Sequence, residues 1–291
     1  VNRPRARRAA ALALVLAAGA VRAGAEEPQV AAPAAQERPS PPQEQEQPVE
    51  LGYGKRLWAD LKALAARPAH LDGRDWRTLG VAALAVGGTM AFDEEIRDFV
   101  QGYRSEEGDD AAETLRPLGH RVGPALLLAG LWVGGALADE PSLVAIGKDG
   151  VEATLFSTVL ITPVLKKVVG RARPDEELGP THFDPFSDDQ SFPSGEAAQA
   201  FTIAAVIAAH TEKPWVEGVS WGLAGLIGVE RLYLDRHWAS DLVAGALIGV
   251  GVGSWVAKRQ MRREASPAGV AWVVLPTVGR GSYGVYGSIL F

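Results

Sequence analysis

The stretch ERLYLDRHWASD, residues 230–241, sets Arg231, His237 and Asp241 at the offsets R-x5-H-x3-D between two apolar runs. Standing alone, such a cluster reads equally well as a polar loop joining two buried helices. The neighbouring sequence changes that reading. Upstream lie KKVVGRARP, in which Lys166 is followed after six residues by Arg173 and Pro174, and SFPSGE, in which Pro193, Ser194 and Gly195 open a further apolar segment. All three patches fall at the ends of apolar segments, roughly 78–92, 123–138, 151–169, 196–210, 216–234 and 240–257, rich in Ala, Leu, Gly and Val. Segments of that length and composition read as helices, so the fold expected is all-α, a bundle of about six core helices.

Before the bundle, Leu57, Leu61 and Leu64 recur at helical spacing beside Trp58 and predict a short amphipathic helix over 53–66. Packing on the main domain is its expected use, with a membrane surface as the alternative. The acidic run RSEEGDDAAE between the first two segments reads as a solvated loop. Beyond KRQMRR, the tail GVAWVVLPTVGRGSYGVYGSILF predicts a hairpin turning around Gly279 and Ser282.

The N-terminus combines the basic NRPRARR, the apolar AAALALVLAAGAV and the small-residue site AGA, the pattern of an export signal over 1–25. Residues 26–50 are Pro, Gln, Glu and Ala with almost no large apolar side chain, a linker that cannot offset the entropy of ordering. The helical domain is then expected over 51–265 and the hairpin extension over 266–291, with the protein working on the periplasmic side.

The 291 residues carry a formal charge of -6, which argues against a sequence-independent nucleic-acid binder, and the absence of cysteine excludes disulfides and thiolate metal sites. No obligate protein partner is evident. His70, His120, His182 and His210 are scattered and read as ordinary surface or packing histidines. The three patches, by contrast, gather Lys, Arg, a Ser-Gly turn, His and Asp at helix ends. A helix N-terminus presents unpaired N–H groups and a positive dipole end, Arg offers a planar fork and Lys a point charge, and together these suit a phosphoryl group.

In order and spacing, this constellation resembles the type 2 phosphatidic acid phosphatase and vanadium haloperoxidase superfamily, with its pattern K-x6-R-P, P-S-G-H and S-R-x5-H-x3-D. The resemblance implies that His237 is a nucleophile forming a phosphohistidine, oriented by Asp241. It also implies that Lys166, Arg173, Arg231, Ser194 and Gly195 hold the phosphate oxygens, with no metal or other cofactor. Residues four apart share a helix face, which fits a carboxylate accepting one imidazole N–H and leaving the other nitrogen free.

Two positions depart from the pattern. Glu230 stands where Ser precedes the Arg, and Glu196 stands where the family has the His that protonates the leaving group. A protonated Glu196 can serve as that acid; otherwise His182 or Asp184 takes the role, or hydrolysis is impaired. The function expected is metal-independent hydrolysis of a phosphomonoester or diphosphate, on a lipid phosphate, an isoprenyl diphosphate or a small phosphate ester. The alternatives are a vanadate-dependent haloperoxidase and a catalytically impaired phosphate or headgroup binder.

The mean hydropathy of +0.03 is low for a chain crossing a membrane six times, and the apolar cores are shorter than the ~20 residues of a spanning helix. A domain associated with the inner membrane, or partly embedded in it, is the setting expected.

Overall fold

The computed structural model describes residues 52–120, 122–265, 271–279 and 282–290. The expected signal segment and linker lie outside them. Between 52 and 265 the chain is helical: α1 Tyr53–Ala66, α2 Gly73–Met90, α3 Asp93–Gln101, α4 Glu106–Gly119, α5 Val122–Leu137, α6 Pro141–Thr154, α7 Thr162–Val169, α8 Gly195–His210, α9 Pro214–Tyr233 and α10 Ala239–Ala265. A π-helical stretch, Leu155–Ile161, joins α6 to α7 without a break. In the tail, β1 Ala271–Gly279 pairs antiparallel with β2 Ser282–Leu290.

The pair α8 and α10 forms the centre, and small residues set its geometry. A Cβ added at Gly245, Gly249 or Gly253 of α10 would stand 2.4, 2.4 or 2.6 Å from the backbone oxygens of Ser194, Ala198 and Thr202 on α8. Glycines four apart lie on one helix face, so their lack of a side chain lets the two backbones touch along several turns. That contact brings the start of α8 against the start of α10, where the Ser194 amide donates to the Asp241 carbonyl at 3.0 Å. Phe156, Val206 and Val256 fill the adjoining core, and Leu57, Leu61 and Leu64 of α1 pack on it, so the amphipathic helix serves the domain interior.

Two expectations need correction. The acidic run is no loop, because Ser105 caps α4 by accepting from the Gly108 amide at 3.1 Å, and Glu106, Glu107 and Asp109 occupy its first turn. Carboxylates there meet the positive end of the helix dipole, so the charges that looked like loop character stabilise a helix start. The segment expected to begin at 151 begins ten residues earlier, with Pro141 in the first turn of α6. Its polar residues Lys148 and Asp149 masked the helix, yet Asp149 is buried and paired with Arg56 and with His210.

Candidate active site

Each candidate residue is placed by a helix end. Lys166 stands in the last turn of α7, which stops at Gly170 in a left-handed conformation with φ of 57°. A Cβ there would fall 1.8 Å from the Asp184 carbonyl oxygen, so only glycine permits this turn. The chain then passes through Arg171 and Arg173 and returns to α8, whose N-cap is Ser194, its hydroxyl accepting from the Ala197 amide at 3.3 Å. Arg231 ends α9, and the loop to α10 carries His237. This loop is braced by α3, since Arg97 donates from Nε at 2.7 Å and from a terminal nitrogen at 2.6 Å to the two carboxylate oxygens of Asp235.

These elements bring His237, Asp241, Glu196 and Arg231 into one cluster. His237 is buried, with Nε2 3.4 Å from a Glu196 carboxylate oxygen and Nδ1 3.6 Å from Asp241 Oδ2. Arg231 reaches the other Glu196 oxygen at 3.4 Å and is gripped at Nε and a second nitrogen by the Glu230 carboxylate. Glu230, one of the two departures from the family pattern, therefore orients the arginine and leaves the terminal nitrogen nearest Glu196 facing the site. Lys166 Nζ donates to the carbonyls of Gln190 and Ser191. Burial, followed by the charge of Arg173, pushes Lys166 down to about 8. Among the described residues the Arg173 guanidinium has no acceptor, which leaves its full fork unspent.

The carboxylates are held ionised. Burial pushes Asp241 up, but the adjacent His237 ring, the Arg171 guanidinium and the Ser191 hydroxyl outweigh it and keep the group below the usual range. Glu196 behaves alike: burial raises it, and the hydrogen bond and charge of His237 with the charge of Arg231 bring it well below. In the resting site Glu196 is thus an anion between the Arg231 guanidinium and the His237 ring.

His182 and Asp184 are not brought to the cluster. His182 Nε2 lies 3.8 Å from Asp189, and the Asp184 amide is tied to the Gly170 carbonyl at 2.7 Å. Four residues that sequence reasoning missed sit behind the nucleophile: Asp93, Arg171, Ser191 and Ser240, all fully buried or nearly so. Arg171 carried a signal in the doubled GRARP arginines, and Ser240 adjoins Asp241. Asp93 and Ser191 stand at no motif offset, and only the packing of α3 and the 185–193 loop reveals them.

The bundle thus gathers a buried histidine, a carboxylate and cationic side chains at neighbouring helix ends, a set of groups suited to an anion. Residues 151–265 match the PAP2 superfamily. Among curated proteins it is 35% identical over 88 residues to "Lipid A 1-phosphatase" of Porphyromonas gingivalis, which covers 29% of this chain and 17% of that one. It is 29% identical over 110 residues to "Undecaprenyl-diphosphatase" of Sulfolobus acidocaldarius, covering 37% and 50%. The chain thus spans half or less of these relatives' lengths. Among solved structures it resembles Aquifex aeolicus LpxE, with TM-score 0.47 and 28% identity over 57% of this chain and 95% of that one.

Proposed function

We propose that this protein hydrolyses a phosphomonoester or diphosphate carried by a membrane lipid, through a phosphohistidine on His237. The observation that carries the reading is His237 itself, with Nδ1 3.6 Å from the Asp241 carboxylate and Nε2 3.4 Å from Glu196, whose other oxygen meets Arg231. His237 Nε2 attacks phosphorus and the ester or anhydride bond to the leaving oxygen breaks. Asp241 stabilises the imidazolium that forms, and Lys166, Arg173 and Arg231 with the first turn of α8 balance charge on the equatorial oxygens. Water then cleaves the P–N bond. Ser194, whose hydroxyl caps α8, retains its proton for a phosphate oxygen. Glu196 serves as leaving-group acid once the phosphate displaces it from Arg231 and raises its proton affinity.

Membrane association is supported by the exterior. Helix α2 is apolar, yet it contributes no fully buried residue, and Trp76, Val81 and Leu84 are exposed along it. Leu126 and Val133 of α5, with Trp215 and Val229 of α9, extend the exposed apolar surface. Water does not tolerate apolar area on that scale in a monomer, and lipid does. Among the described residues one helix, Ala239–Glu264, is long and apolar enough to cross a membrane, and half of its most apolar window is buried within the bundle. The lipid names of the relatives, lipid A and undecaprenyl diphosphate, favour the same substrate class.

The test is turnover by purified protein in detergent micelles containing phosphatidic acid or an isoprenyl diphosphate, beside para-nitrophenyl phosphate. Expected are phosphate release that survives chelator, competitive inhibition by vanadate, and an acid-labile, base-stable phosphoryl adduct on His237. Turnover retained by His237→Ala, or saturable binding without turnover, overturns the reading.

A further inference from the structure

We infer that Arg171 and Asp93 are positioning residues for the nucleophile, forming with Asp241 a buried ion chain that aims the carboxylate behind His237. The inference rests on the hydrolytic reading above and assigns roles to two residues that no motif marks.

A guanidinium has five N–H donors, and the structure accounts for all five of Arg171. Nε and one terminal nitrogen donate to the Pro180 carbonyl at 2.9 and 2.6 Å, and that terminal nitrogen also donates to Asp93 Oδ2 at 2.7 Å. The other terminal nitrogen donates to Ser240 Oγ and to Asp241 Oδ1, both at 2.7 Å. The side chain is 0% exposed and lies between the rings of Trp238 and Phe183, at 5.4 and 5.5 Å from their centroids. No donor remains for a phosphate. Two positions on, the Arg173 guanidinium has no acceptor among the described residues, so the doubled arginines divide the work: one faces substrate and the other faces the machinery.

Asp93 fixes the far end of the chain. Its Oδ1 accepts from the Ser240 amide at 2.9 Å, and its Oδ2 accepts from the Ser240 hydroxyl at 2.6 Å as well as from Arg171. Asp241 Oδ2 in turn accepts from the Ser191 hydroxyl at 2.5 Å and the Trp238 amide at 2.9 Å. The orientation of Asp241 is therefore set by donors other than His237. The imidazole Nδ1, buried and without a hydrogen-bond partner, faces a carboxylate already locked in place at 3.6 Å. Shortening that gap as the imidazolium forms needs movement of the ring alone, which is the preorganisation that stabilises developing charge. Two fully buried carboxylates without a cation between them would be costly, and Arg171 supplies that cation.

The groups facing Asp241 and His237 are Arg171, Lys166, Glu196, Asp93 and the Ser191 hydroxyl. Loss of the Arg171 charge makes Asp241 easier to protonate. That effect moves the acidic limb of the kcat/KM profile to higher pH. Loss of the Asp93 charge acts oppositely, because it removes an anion from the chain.

The experiment measures full pH profiles on para-nitrophenyl phosphate and on micellar phosphatidic acid for Arg171→Met, Arg171→Lys, Asp93→Asn and Asp241→Asn. For Arg171→Met, kcat is expected to fall on the order of 10²-fold with KM within about threefold, and the acidic limb to rise; Arg171→Lys restores part of kcat. Asp93→Asn lowers kcat about 10-fold without raising that limb, and it carries the test if the Arg171 variants fail to fold. In an Asp241→Asn background, Arg171→Met should cost less than about threefold more, because its route of action is gone. Losses that multiply independently, a change confined to KM, or limbs that do not move, overturn the positioning role. A wild-type protein with no turnover, or a fully active His237→Ala, would instead defeat the hydrolytic reading.

Discussion

Helices α8 and α10 carry a charged cluster at each end, and the two clusters obey opposite rules. At one end stand Ser194, Glu196, His237 and Asp241. At the other, about 28 Å along α10 at ~1.5 Å per residue, stand His210, Arg259, Gln260 and Arg263, joined by Arg56 and Asp60 of α1 and by Asp149 and Glu152 of α6. The distal cluster is closed on itself. Arg263 donates twice to Asp60 at 2.7 and 2.6 Å, Gln260 reaches Asp60 at 2.7 Å, Arg56 reaches Glu152 at 3.1 Å, and His210 meets Asp149 at 2.9 Å. Among the described residues the candidate site leaves the Arg173 guanidinium without an acceptor and His237 Nδ1 without a partner. Charges that pair with one another clasp α1 to the bundle; at the candidate site some groups are left without a partner. The same residue types thus give a staple at one end and, on the proposed reading, chemistry at the other, according to how completely each group is satisfied.

The sharpest way to break this comparison is at the nucleophile. His237→Ala should reduce turnover to background while the thermal midpoint stays within a few degrees, since Nδ1 makes no hydrogen bond to lose. Phosphate release and a melting curve on the same preparation check it. A large loss of stability would show that the site end also staples.

The reciprocal change is at Asp60. Asp60→Ala leaves Arg259 and Arg263 facing each other around a buried gap, and removing one partner of a buried pair costs about 3–5 kcal/mol. Denaturation should show the loss, and the fraction that remains folded should keep its kcat. A kcat that falls with stability intact would make the distal cluster part of the catalytic machinery.

How much of this was legible follows from the same distinction. The residues proposed to meet a phosphate, Lys166, Arg173, Ser194, Arg231 and His237, stood at readable offsets, with Asp241 four positions beyond His237. The residues that satisfy them from behind did not. Asp93 lies more than a hundred positions from Ser240, and nothing local in FDEE tells that its carboxylate is buried while Glu94 and Glu95 are exposed. The helix at 106–119 was hidden because first-turn acids look like loop composition, and the start of α6 because Asp149 reads as a break until Arg56 and His210 are seen to pair with it. Hydrophobic periodicity reports apolar burial and is silent about polar burial that is compensated at long range.

A smaller effect sharpens the site end. If Glu196 is the leaving-group acid, Glu196→Gln should lower kcat on the order of 10-fold to 100-fold for an alkyl phosphate and hardly at all for para-nitrophenyl phosphate, whose leaving group departs without a proton. Glu196→His should move the alkaline limb of kcat upward. Equal losses on both substrates would reduce Glu196 to a partner that holds Arg231 and His237 apart.

The smallest expected effect lies in the one imperfect contact of the closed cluster. Glu152 Oε1 is buried without a partner, and burial, with the nearby Asp60, pushes the Glu152 carboxyl up to about 7. Asp60, which takes the hydrogen bonds of Arg263, Arg259 and Gln260, is held down. The pair therefore shares its charge unequally, Asp60 ionised and Glu152 protonated in mildly acidic solution. A carboxyl with a raised folded-state pKa favours the folded state where it is protonated. Its contribution is complete below the unfolded value near 4.5 and is lost as pH climbs through about 7. The thermal midpoint should consequently decline between pH 5 and pH 8. Glu152→Gln, which cannot ionise, should flatten that decline and leave the pH 8 protein the more stable one by a few degrees, with turnover unchanged. A midpoint that rises across the same window, or a slope that Glu152→Gln leaves as it was, would show that Glu152 is ionised throughout and that Arg56 compensates it as fully as Arg263 compensates Asp60.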